Sequence, residues 1–123
     1  MAFAGDRLVG LFDFDVLHRG FRIEDVALAL FVFGRERRES DRIRARTARI
    51  LLDEYERAAP LTELERQALP VMTVVVQART APRYALRQRG GQDPAQVLRA
   101  HVARMRSLET QMASLGPTLF ERG

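Results

Sequence analysis

Between Glu24-Asp25 and Gly34 runs an unbroken apolar block, Val26-Ala27-Leu28-Ala29-Leu30-Phe31-Val32-Phe33. No other segment constrains the fold as tightly. Eight residues are too few to span a bilayer, which takes roughly twenty. A helix without a polar face must be covered all round. A buried strand is the rival for so short a run. The acids at its start suit the positive end of a helix dipole, and the alternating alanines favour helix. The block therefore predicts a helix over 23–34, buried at the domain centre, with Gly34 as its C-cap.

The rest of the chain supplies what must cover it. At 123 residues, 46% hydrophobic and 29% charged, the sequence fits one soluble globular domain. Residues 1–15 read as a β-hairpin. Ala2-Phe3-Ala4 is one strand, Gly5-Asp6 the turn, and Arg7 to Phe14 a second strand ending among acids. Val16 to Arg22, with His18 and Gly20, is a connection. Ser40 is a good N-cap for a helix over 40–58, with Ile43, Thr47, Ile50, Leu51, Tyr55 and Ala58 on its apolar face. Thr62-x-x-Glu65 is a capping box for a helix over 62–80, with a kink or break expected at Pro70. Residues 81–92, with Pro82, Gly90 and Gly91, read mostly as loop. Asp93-Pro94 opens a helix over 94–115 that stops at Gly116-Pro117. The fold class is mainly α: a short N-terminal hairpin, then about four helices around a central buried one. Residues 1–116 form the domain and 117–123 a tail.

Composition removes several chemistries. There is no cysteine, so no disulfide and no thiolate zinc site, which fits a reducing, cytoplasmic compartment. The start, Met1-Ala2-Phe3-Ala4-Gly5-Asp6-Arg7, lacks the basic and apolar regions of a signal peptide. All twenty basic side chains are arginine, which excludes lysine Schiff bases and phosphate-binding lysines. The net charge of +4 is unevenly placed. Residues 35–49 carry seven arginines against three acids, and residues 79–106 seven against one. Such blocks meet phosphate or nucleic acid, or form solvated helix faces with acid partners. Only Tyr84 interleaves them as a stacking aromatic, so an Arg-rich nucleic-acid binder is the weaker reading. His101 lies on or beside the apolar stripe of the last helix and reads as a packed residue.

The segment Gly10-Leu11-Phe12-Asp13-Phe14-Asp15 carries the chemistry. Carboxylates at i and i+2 on a strand point to one side. Two such oxygen donors suit a magnesium ion that also holds a nucleotide phosphate. Together with Gly20 and Ile23-Glu24-Asp25-Val26-Ala27-Leu28-Ala29, this segment resembles the C-terminal lobe of the aminoglycoside phosphotransferase and homoserine kinase family, of protein-kinase-like fold. Tyr55 and Pro60-Leu61-Thr62-x-x-Glu65 are similar to a further family feature, and the resemblance spans about Phe3 to Thr80.

The resemblance implies roles. Asp13 would bind magnesium, Asp15 would be a second, outer acid, and Asp25 would be a buried residue supporting the backbone of a catalytic loop. ATP and Mg2+ would be the cofactors. The family's nucleotide-binding lysine, its metal-binding asparagine and its histidine-x-aspartate loop have no counterpart, since the sequence holds neither lysine nor asparagine. The expectation is therefore an acceptor-side lobe, truncated or split, with no catalytic residue of its own and inactive alone. An N-terminal kinase lobe in trans, or self-association through residues 2–14, would complete it. A non-catalytic helical binding or assembly module is the alternative. The arginine-rich segments after the central helix favour a neutral or anionic acceptor over a polycation.

Overall fold

The computed structural model describes residues 1–10, 19–37, 40–87, 91 and 93–121, with only the backbone described at 81, 82 and 84–87. The architecture is mainly helical with a short N-terminal hairpin, as the pattern predicts. Strands β1 (Ala2–Ala4) and β2 (Arg7–Gly10) pair antiparallel, with Phe3 opposite Leu8. Gly5 sits at φ +60 in the turn, a conformation that favours glycine. The remainder of the predicted second strand, with Asp13 and Asp15, lies outside the described residues, as does His18.

Four helices follow: α1 (Arg22–Gly34), α2 (Ala45–Ala58), α3 (Glu63–Arg87) and α4 (Pro94–Leu115). The core is one cluster in which Leu30, Leu52, Leu69 and Leu108 are wholly buried. Helix α3 shares the centre with α1, since it packs on both α1 and α4. Its buried positions, Leu69, Thr73, Val76 and Gln77, recur at helical spacing. Thr73 satisfies its buried hydroxyl by donating to the Leu69 carbonyl at 2.9 Å.

The apolar run forms the predicted helix, but it is covered on one side only. Ile23, Val26, Ala27, Leu30, Phe31 and Gly34 face inward, against α2 and α3. Leu28, Val32 and Phe33 remain 41%, 45% and 55% exposed. Gly34 also differs from expectation. It is the last helical residue, not a left-handed cap, and Arg35 continues in extended backbone. Its missing side chain permits close approach, because a Cβ there would stand 3.4 Å from Ile43 Cγ2.

Helix α2 starts five residues later than Ser40 suggests. Residues 34–36 instead lie beside 42–44, with Glu36 N–H donating to the Arg42 carbonyl and Arg44 N–H to the Gly34 carbonyl. The Gln111 side chain closes this turn. It accepts from Ile43 N–H at 2.9 Å and donates to the Asp41 carbonyl at 2.8 Å. Ser40 accepts from Arg42 N–H, a local turn that competes with helix nucleation. The expected apolar face of α2 is met in part: Leu51 and Tyr55 pack against the core, Ala48 and Leu52 beside them are buried, and Ile50 is exposed.

Helix α3 runs through Pro70 and on to Arg87, so no break is found at Pro70 and residues 81–87 are helical where a loop is expected; residues 88–90 and 92 of that stretch lie outside the described residues. Packing outweighs the lost hydrogen bond here. Pro70 seats against Gly116, where a Cβ would lie 2.9 Å from the proline Cγ. Helix α4 begins as predicted, with Asp93 accepting from Ala95 N–H and Pro94 in the first turn. The segment after it is no loose tail. A 3-10 turn at Gly116–Thr118 returns Leu119 to the core, and Phe120 packs beside it.

Candidate functional site

The site assembles around the N-terminus of α1. No side chain caps this helix, and Glu24 N–H bonds to the Phe21 carbonyl instead. Arg22 anchors the start from outside. Its guanidinium donates in bidentate fashion to Glu65, Nε to Oε1 and Nη2 to Oε2, both at 2.6 Å. Nη2 also donates to the Pro60 carbonyl at 2.7 Å. Paired donors of this geometry fix orientation as well as charge.

Glu65 is shared between two tasks. It also accepts from Thr62 N–H at 2.7 Å, while Thr62 Oγ1 accepts from Glu65 N–H at 3.2 Å. The predicted capping box is therefore formed, and it holds the α1 anchor as well. The hydrogen bond from Arg22, then that from the Thr62 backbone, lowers the Glu65 carboxyl from 4.5 to about 2. On the other side Arg79 Nη1 donates to Glu24 Oε2 at 2.7 Å. Two ion pairs to α3 thus clamp the first turn of α1 (Arg22–Glu65 and Glu24–Arg79).

Asp25 stands between these clamps and is exposed, not buried as the resemblance implies. It forms no ion pair among the described residues. Phe21, Asp25, Leu28 and Val32 follow one another at helical spacing, so the carboxylate interrupts an exposed apolar stripe. In the hairpin Phe3, Leu8 and Val9 are also exposed, and the hairpin packs extensively on no helix among the described residues. The arrangement offers a carboxylate, fixed in place and open to donors, within an apolar surface that a neighbouring segment can cover.

Asp13 and Asp15 lie outside the described residues, so the structure does not bring them to Asp25 or separate them from it. Among the described residues no group of three or more His, Asp or Glu is placed to hold a metal ion. No helix of the described residues is long and apolar enough to cross a membrane. His101 is buried, and burial, then the Arg104 charge, lowers its pKa from the ordinary 6.5. Sequence reasoning missed Arg22 and Arg79, whose partners lie 43 and 55 residues away. The readable signal was the capping box alone. Comparison with family models, with curated proteins and with solved structures returns no match.

Proposed function

We propose that the chain is the acceptor-side helical lobe of an ATP-dependent small-molecule phosphotransferase, working only with a second polypeptide segment that supplies the nucleotide-binding parts. One observation carries this reading. The α1 clamps hold Asp25 rigid and exposed in an apolar stripe, where a loop with free backbone N–H groups would find both an acceptor and a cover. A carboxylate accepting two or three such bonds fixes a loop well. The family resemblance implies Asp13 for magnesium and Asp15 as an outer acid, and their i, i+2 spacing after an apolar strand suits such an ion. Bound ATP with Mg2+ would supply the phosphoryl group. The acceptor would be neutral or anionic, since arginines dominate the segments beyond α1.

A second reading is a non-catalytic binding or assembly module. It is favoured by a single buried core that draws on all four helices, from Ile23 to Leu119. Amide spectra recorded with added Mn2+ separate the two. In the first reading the paramagnetic broadening centres on residues near 10–20 and is lost in Asp13→Ala. Broadening that is diffuse, or unchanged in Asp13→Ala, removes the metal assignment and leaves the assembly module.

A further inference from the structure

At the far end of α1, about 15 Å of helix rise from Asp25, the two basic blocks of the sequence converge. Arg104 of α4 donates to Asp41 at 2.7 Å and lies over the Phe31 ring at 5.9 Å, with Arg35 over the same ring at 4.4 Å. The contact brings the turn at 40–43 against α4. Between them runs an open groove of about 630 Å³, lined by Ser40, Arg42, Ser107, Thr110 and Ser114 over an apolar floor at Ile43.

Three of the four hydroxyls that line this groove, those of Ser40, Ser107 and Ser114, keep a proton to donate. Ser40 Oγ already accepts, from Arg42 N–H, and Ser107 Oγ accepts from Gln111 Nε2. Each keeps its O–H proton to donate. Ser114 is exposed and makes no hydrogen bond to the described protein, although a helical serine often bonds back to the preceding turn. Thr110 donates to the Arg106 carbonyl, which places Arg106 one turn away on the same side of α4. Among the described residues Arg42 pairs only with Glu36, at 3.9 Å, and its side chain is 78% exposed. Arg106 and Arg44 pair with no carboxylate among the described residues. The one acid in the lining, Asp41, is already neutralised by Arg104. Hydroxyl donors and spare guanidinium charge together call for an acceptor-rich anion.

We infer that this groove binds a phosphate group, as inorganic phosphate or as the head of a small phosphomonoester. Tetrahedral oxygens match donors arriving from the turn on one side and α4 on the other. The site is separate from the Asp25 surface and does not depend on the phosphotransferase reading.

The test is titration of the full chain with inorganic phosphate, followed by amide shifts at matched ionic strength. Saturable shifts confined to residues 40–43 and 106–115 are expected. Arg42→Gln together with Ser114→Ala, two exposed side chains outside the core, should weaken binding about tenfold. Arg46→Gln, on the exposed side of α2, should leave it unchanged. A glycerol phosphate arm tells the sources apart, since tighter binding than inorganic phosphate marks an ester ligand. Equal shifts with chloride, shifts spread over all exposed arginines, or full binding by the double variant would overturn the site.

Discussion

The two faces of α1 have nearly the same composition and opposite surroundings. Leu30 and Phe31 are buried beneath α2 and α3, while Leu28, Val32 and Phe33 on the same two turns face water. The hairpin repeats the contrast. Its Phe3 and Leu8 lie opposite each other across the strands, and both are exposed. Hydrophobicity therefore makes two different statements in this chain. On the inner face it stabilises the fold. On the outer face no described residue buries it, and an exposed apolar patch of this kind suits a contact with a further segment or chain.

That comparison breaks most directly by mutation on each face. Leu30→Ala removes a wholly buried side chain and should cost about 3 kcal/mol in urea unfolding. Leu28→Gln, two residues away, keeps helix propensity and should cost less than about 1 kcal/mol. Comparable losses would mean that the outer face is packed after all. Association should show the reverse order. Sedimentation of the wild type should rise with concentration through the outer face and hairpin, and Leu28→Gln with Leu8→Gln should abolish the rise. A wild type that stays monomeric at high concentration would remove self-association from the account.

The inner face was legible in sequence because periodicity reports it. The helix at 23–34, the capping box at Thr62 and the Asp93-Pro94 start each depend on residues close together in the chain. The outer face was not legible, because a run that is apolar all round gives no sign of which side is covered. The α2 start failed for a related reason. Ser40 has the right side chain for a cap, but Gln111, about seventy residues away, holds the 41–43 backbone in a turn. The α1 clamp was hidden the same way, since Arg22 and Glu65 meet only in the folded chain. Asp25 was singled out in sequence, but the burial that the resemblance implied is not found, since its side chain is exposed.

Pro70 and Gly116 extend the contrast between local rule and tertiary contact. Proline inside a helix normally costs about 3 kcal/mol or more, yet here it supplies a flat surface that Gly116 approaches closely. Gly116→Ala would push a methyl group to 2.9 Å from a rigid ring carbon. The expected loss is about 2 kcal/mol. Pro70→Ala should relieve that clash, so the double variant should be more stable than the sum of the two losses predicts. Additive effects would show that the contact is not the cause.

Thr62 joins the inner and outer regions at the start of α3. Thr62→Ala removes the hydroxyl half of the capping box and should cost about 1 kcal/mol in thermal or urea unfolding. It also removes the hydroxyl's bond to Glu65 Oε2 at 2.9 Å, but should leave the Arg22–Glu65 pair standing, because both bonds of that pair run directly from the guanidinium. Amide exchange sharpens the point. Faster exchange confined to the first turn of α3 is expected, with the first turn of α1 unaffected. Faster exchange in both would mean that the hydroxyl, more than the carboxylate, holds the clamp.

The smallest effect concerns the clamp itself. Glu65 has its carboxyl lowered to about 2, from 4.5, first by Arg22 and then by Thr62. A carboxylate with a depressed folded-state pKa contributes stability above its unfolded value and loses it as pH falls through the folded one. The contribution is therefore whole above about 4.5 and fades toward about 2. His101 behaves differently in position but not in sign. Its folded pKa lies below 6.5, so its contribution fades as pH falls below that value. The two windows separate the groups. Glu65→Gln should flatten the fall in melting temperature between pH 4.5 and 2 and leave the shallower fall below 6.5 intact. Because the pair is exposed, added salt should shrink the difference between wild type and variant. An unchanged acid limb in Glu65→Gln would show that the clamp positions α1 without stabilising the fold, and would leave Arg22 a role only in presenting Asp25.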